Sequence, residues 1–101
     1  MKMLLVVFRS SLEEDMLHLF KSLGVKAFTE AAHVFGKGET GSAFGSFSWP
    51  GSNSLILVAI EDHQTDAVVK GLKAFRDGLA GKQPGGKIPI RVFLLPCEDV
   101  L

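Results

Sequence analysis

The sequence predicts an α+β fold in which a strand–helix–strand unit is written twice. Three observations predict it. Two apolar runs, Met3–Phe8 and Leu55–Ile60, are continuous and lack helical spacing. Each is followed by a segment whose apolar residues recur at helical spacing. Two glycine-rich segments, 36–45 and 78–87, take equivalent positions in the two halves.

Lys2–Phe8 reads as a buried central strand. Ser11-Leu12-Glu13-Glu14 has the form of a capping box, with the Ser11 hydroxyl and the Glu14 carboxylate satisfying free N–H groups at a helix start. Leu12, Met16, Leu19, Phe20 and Leu23 then form one helical stripe, and Gly24 fits its C-terminal stop. Lys26–Phe35 is a second, weakly alternating strand. The first glycine-rich segment and Ser46–Ser52 follow, with Pro50-Gly51 as a turn signal. Asn53–Ile60 is the third strand. Asp62 is placed to cap a helix whose apolar face is Val68, Leu72, Phe75 and Leu79. The second glycine-rich segment leads to a last strand, Ile88–Leu95, where Pro89 favours an edge position or the strand's first residues.

This order is the ferredoxin-like βαββαβ plan: one four-stranded antiparallel sheet, both helices on one face, the first and third strands central. Helices cover only one sheet face, yet both central strands are apolar on both sides. The second face is therefore expected to be buried between copies of the chain.

With 101 residues, one domain spanning 1–101 is expected. Eleven basic and eleven acidic residues cancel, so there is no broad field for nucleic acid or an anionic membrane. The single cysteine, Cys97, cannot form an internal disulfide, which fits a reducing cytoplasm. The run Met3–Phe8 is too short to insert in a membrane, for which about 20 apolar residues are needed. His18, His33 and His63 show no metal-ligand spacing, and no metal site is expected. Glu98 and Asp99 beside Cys97 disfavour a thiolate nucleophile, and no Ser/His/Asp order stands out, so the chain is not expected to be an enzyme. Read from residues alone, the glycine-rich segments are either tight turns or anion-binding loops: glycine admits backbone N–H groups close to a ligand, and lysine adds charge. Phe44, Phe47 and Trp49 either extend a hairpin against a neighbouring subunit or form a docking surface for a partner.

Val34-Phe35-Gly36-Lys37, Trp49-Pro50-Gly51-Ser52-Asn53-Ser54 with Glu61-Asp62, and Gly81-Lys82-Gln83-Pro84-Gly85-Gly86-Lys87-Ile88 together resemble the nitrogen-regulatory PII signalling family, in a divergent PII-like branch. The resemblance implies a homotrimer that binds adenine nucleotides between subunits and controls a client, such as a membrane transporter, through the 37–50 loop. It places Gly36 and Lys37 at the base of that loop, Gly81, Lys82, Gly85, Gly86 and Lys87 in a phosphate loop, and Thr29 near the adenine. ADP, AMP or ATP is the implied effector, with no cofactor required. This chain departs from the family pattern in four ways. It has no tyrosine for nucleotidylation, and its loop is shortened. Pro84 stands for a phosphate-loop glycine, removing an N–H donor. Glu98 and Val100 stand where the family carries arginines for triphosphate, which favours fewer phosphates or another small anion. The alternative expectation is a trimeric structural or metal-tolerance protein of the CutA type, without nucleotide binding.

Overall fold

A computed structural model describes residues 1–36, 52–82 and 88–101. The elements run β1 (Lys2–Arg9), α1 (Glu13–Ser22), β2 (Thr29–Val34), β3 (Asn53–Ile60), α2 (Asp62–Lys82) and β4 (Ile90–Pro96), with a single 3₁₀ turn, Ser10–Leu12, before α1. The sheet is antiparallel, in the order β2-β3-β1-β4. The α+β ferredoxin-like expectation therefore holds, with the two most apolar strands at the centre. Pro89 directly precedes the edge strand β4, where no ladder bond is demanded of it.

Register shows why the central strands are apolar throughout. Leu4 stands opposite Val58 and Leu94, and Val6 opposite Ile56 and Val92. Leu4, Val6, Phe8, Ile56, Val58 and Ile60 face the helices and are buried with Met16 and Phe20 of α1 and Val68 and Leu72 of α2. Both helical pairs are spaced four apart, so one turn of each helix delivers two core side chains. The helices meet closely: a Cβ on Gly71 would lie 2.6 Å from a Leu23 methyl. Phe28 closes the α1 side edge-on against Phe20, with ring centroids 5.7 Å apart.

The other face is formed by Met3, Leu5 and Val7, by Leu55, Leu57 and Ala59, and by Phe93 and Leu95. No element covers it among the described residues. Leu57, Phe93 and Leu95 are 38%, 43% and 45% exposed, high values for side chains at the heart of a sheet. Arg91 shares this face, its guanidinium 5.6 Å above the Phe93 ring.

Helix boundaries depart from the sequence reading at three points. Ser11 makes no cap: the chain turns through 3₁₀ geometry and α1 starts behind Leu12 without a side-chain cap bond. Asp62 is not the cap of α2 either. The Glu61 N–H donates to Gln64 Oε1 across the first turn, leaving the Asp62 carboxylate to take the Met1 amine at 2.8 Å. That pairing holds the Asp62 carboxyl below its ordinary range. Finally, α2 continues through Gly78 and Gly81 to Lys82, with open space around the Cβ position of both glycines.

The stop of α1 is as expected. Gly24 has φ +79°, its N–H donates to the Lys21 carbonyl, and the Val25 N–H reaches back to the Phe20 carbonyl. This is the paired closure that favours glycine at the left-handed position. Gly24→Ala should cost about 1 kcal/mol through backbone strain alone, since open space surrounds its Cβ position. Urea unfolding should show a lower midpoint with an unchanged slope.

Candidate functional site

The topology gathers several chain ends at one end of the sheet. β1 ends there at Arg9, β2 at Val34, and β3 and β4 begin there. α2, about 31 Å long, starts behind Ile60 at the far end and returns to the same place with Lys82. Both glycine-rich connections of the sequence leave from this end. Backbone bonds bind it together: the Arg9 N–H donates to the Pro89 carbonyl at 3.0 Å and the Ser10 N–H to the Ser52 carbonyl at 2.8 Å.

Of the residues singled out in the sequence, Gly36, Gly81 and Lys82 lie at this end. Gly81 and Lys82 form the last residues of α2 and not a loop, which corrects the expectation for both. Thr29 is not brought to them. It opens β2 opposite Leu57, roughly 17 Å along the strand from Val34. Lys37, Gly85, Gly86 and Lys87 lie outside the described residues, as do Phe44, Phe47 and Trp49. The 37–50 segment as a whole is outside them too. Two surface grooves are open. One, of about 340 Å³, runs between α2 and the β4 edge past Leu72, Lys73, Arg76 and Val92. The other, of about 360 Å³, lies between Gly24–Ala27 and Val58–Ile60. Neither is lined by Thr29, Gly36, Gly81 or Lys82. Among the described residues no three His, Cys, Asp or Glu side chains come together in a metal-holding group.

His33 sits one residue before the end of β2. Sequence reasoning did not anticipate the polar cluster there. Ser54 is fully buried on the helix-facing side of β3 and lies 2.9 Å from Ser10 Oγ. Ser10 Oγ lies 3.1 Å from Ser52 Oγ, which lies 2.9 Å from His33 Nδ1. Serines in a Gly/Ser-rich stretch carry no sequence signal for this; only pairing of β1, β2 and β3 brings them together. Nearby, Glu30 shares a hydrogen bond with Glu13, and its Oε2 is shielded from solvent without a hydrogen bond of its own among the described residues.

With this geometry in view, the comparison with known proteins is decisive for the family. The family model for nitrogen regulatory protein P-II matches residues 1–101. The chain belongs to the P-II family. Solved structures agree on the fold. CPII, a nitrogen regulatory PII-like protein from Thiomonas intermedia K12 whose structure holds ADP, AMP and bicarbonate, superposes with a TM-score of 0.68 at 21% identity, over 92% of this chain and 81% of that one. The apo form of CPII gives 0.64 at 18% identity, over 92% and 84%. A PII-like signalling protein from Thermus thermophilus gives 0.55 at 18% identity, over 92% and 82%. No curated protein sequence matches. The P-II chain is thus a divergent, PII-like member, as its sequence resemblance implied. No helix among the described residues is long and apolar enough to cross a membrane.

Burial first, then the hydrogen bond to Glu13 and the repulsion of its charge, hold the Glu30 carboxyl above the usual carboxylate range, while His33 opposes them. The folded state therefore binds this proton more tightly than the unfolded chain. The resulting stability is complete below the ordinary carboxylate pKa and is lost as pH rises through the elevated value. Unfolding free energies measured from pH 4 to 7 should fall with rising pH in the wild type relative to Glu30→Gln, which cannot ionise at this position. Parallel curves for the two proteins would exclude the raised Glu30 pKa.

Proposed function

We propose that this P-II-family chain is an effector-responsive regulator, not an enzyme. It works as a trimer in the cytoplasm, binds an adenine nucleotide between subunits and controls a client protein through the 37–50 loop. One observation carries the reading: Gly36, Gly81 and Lys82 gather at the single end of the sheet from which both Gly/Lys-rich connections depart. Lys37, Gly85, Gly86 and Lys87 extend the same site in this proposal, as charge and N–H donors for phosphate. Thr29 then belongs to the cleft of the adjacent subunit, which accounts for its distance along β2. Phe44, Phe47 and Trp49 are the proposed client-facing residues. In this reading the entire chain, 1–101, forms one domain.

Two further features support this. The uncovered apolar face is of the kind that subunit association buries. CPII, the structural neighbour, was solved with ADP and AMP bound. Glu98 and Val100, at positions of triphosphate-binding arginines in the family, make ADP or AMP the favoured effector over ATP. Bicarbonate, also bound in CPII, is a reasonable second anion to assay.

The trimer is tested by light scattering, with three times the 10.9 kDa chain mass expected at micromolar concentration. Phe93→Asp should dissociate it, because burial would leave the carboxylate unpaired. A monomeric wild type would refute the assembly.

For the effector, calorimetric titration should show ADP and AMP binding at least as tightly as ATP. Lys87→Ala should weaken ADP by roughly 10- to 150-fold, the loss of one charge-assisted hydrogen bond of about 1.5–3 kcal/mol. Lys70→Ala, on the surface of α2, should not change it. Absence of any stabilisation by millimolar adenine nucleotide would overturn the nucleotide reading.

A further inference from the structure

His33 is the one non-glycine residue with positive φ among those described, at +56°. It lies in the irregular stretch where the β2–β3 register shifts between Ala31 and Val34. Such a bulge re-aims a side chain that regular pairing would point elsewhere. Here the re-aimed side chain reaches Ser52, just before β3, with Nδ1 and Oγ 2.9 Å apart. Histidine is among the few residues that enter the left-handed region with some frequency, but it does so at a cost.

The contact does more than join two residues. Ser52 is tied to Ser10 twice, by the Ser10 N–H on its carbonyl and by the paired hydroxyls, and Ser10 is tied to the buried Ser54. One polar chain therefore runs from the core, through the end of β1 and the start of β3, to the last turn of β2. Phe35 and Gly36 follow within three residues of His33. Hydroxyls rotate, so the chain can run in either direction, and the imidazole can accept or donate without breaking it. The nearby carboxyls, Glu30 on β2 and Glu13 on α1, hydrogen-bond to each other. The effect of the polar chain is geometric: it sets where the backbone leaves the sheet.

We propose that His33 is a positioning residue. By hydrogen-bonding Ser52 it fixes the departure of Phe35 and Gly36 from β2, and so sets the affinity of the effector site at that end of the sheet. The second half of this statement rests on the nucleotide-binding function proposed above.

The experiment compares wild type with His33→Gly, Ser52→Ala and Ser52→Thr. It uses calorimetric titration with ADP and hydrogen exchange at the amides of Phe35 and Gly36. His33→Gly removes the bond while relieving the backbone strain, so it separates the two. Ser52→Thr keeps the hydroxyl. The expected result is that His33→Gly and Ser52→Ala each weaken ADP roughly three- to tenfold, the range for loss of one neutral hydrogen bond, and speed exchange at both amides. Ser52→Thr should restore both readouts to near wild type. Wild-type affinity and exchange in His33→Gly would overturn the proposal, even if Ser52→Ala were impaired, because the chain would then act without the histidine. Accelerated exchange with unchanged ADP affinity would also overturn it, leaving His33 a structural residue only. If the wild type binds no adenine nucleotide, the functional reading fails by itself. Exchange at Phe35 and Gly36 then decides separately whether His33 holds the loop base.

Discussion

The structure depends on a mismatch between what the central strands offer and what the helices can cover. β1 and β3 are apolar on both sides, and their register aligns apolar with apolar on each face. α1 and α2 bury one set completely: Leu4, Val6 and Ile56 have no exposed surface. Each such side chain contributes about 1.5–3 kcal/mol on leaving water. The opposite set has no element over it among the described residues. A monomer would keep Leu57, Phe93 and Leu95 in contact with water in the middle of a sheet, where neighbouring side chains reinforce the exposed patch. The apolar pattern that builds the core thus also leaves a second apolar face, of the kind that subunit association buries in the assembly proposed above.

The meeting of chain ends at one end of the sheet is a second consequence of the same topology. In a split βαβ arrangement, α2 must return antiparallel to β3 before β4 can begin. Its C-terminal end and the β2–β3 connection are therefore delivered to one edge of the domain. Residues far apart in the chain, such as Gly36 and Gly81, become neighbours in a region because of connectivity, with no need for a shared motif. In the function proposed above, this end of the sheet is where the effector binds.

The polar chain at that end shows how little sequence signal a precise local arrangement can carry. Ser10, Ser52, Ser54 and His33 are ordinary loop and strand-end residues one by one. Their hydrogen bonds span separations of 42, 44 and 19 residues. Each bond is weak, but together they add to the backbone bonds from Ser10 to Ser52 and from Arg9 to Pro89 in joining the strand ends.

The sequence by itself determined the element order, the identity of the central strands and the apolar face, because hydrophobic periodicity is local and both strands announce it. Gly24 was legible for the same reason: a left-handed helix stop needs one residue type at one place. Helix starts were less so. Ser11 and Asp62 each fit a capping pattern, yet a 3₁₀ turn took the place of one cap and the local Glu61–Gln64 pairing that of the other. Gly78 and Gly81 read as loop residues by composition, yet both lie within α2, which runs on to Lys82. The positive φ of His33 was decided entirely by tertiary structure. It requires the β2–β3 register shift to aim the ring and a serine on another strand to receive it, and neither is encoded in the residues next to it.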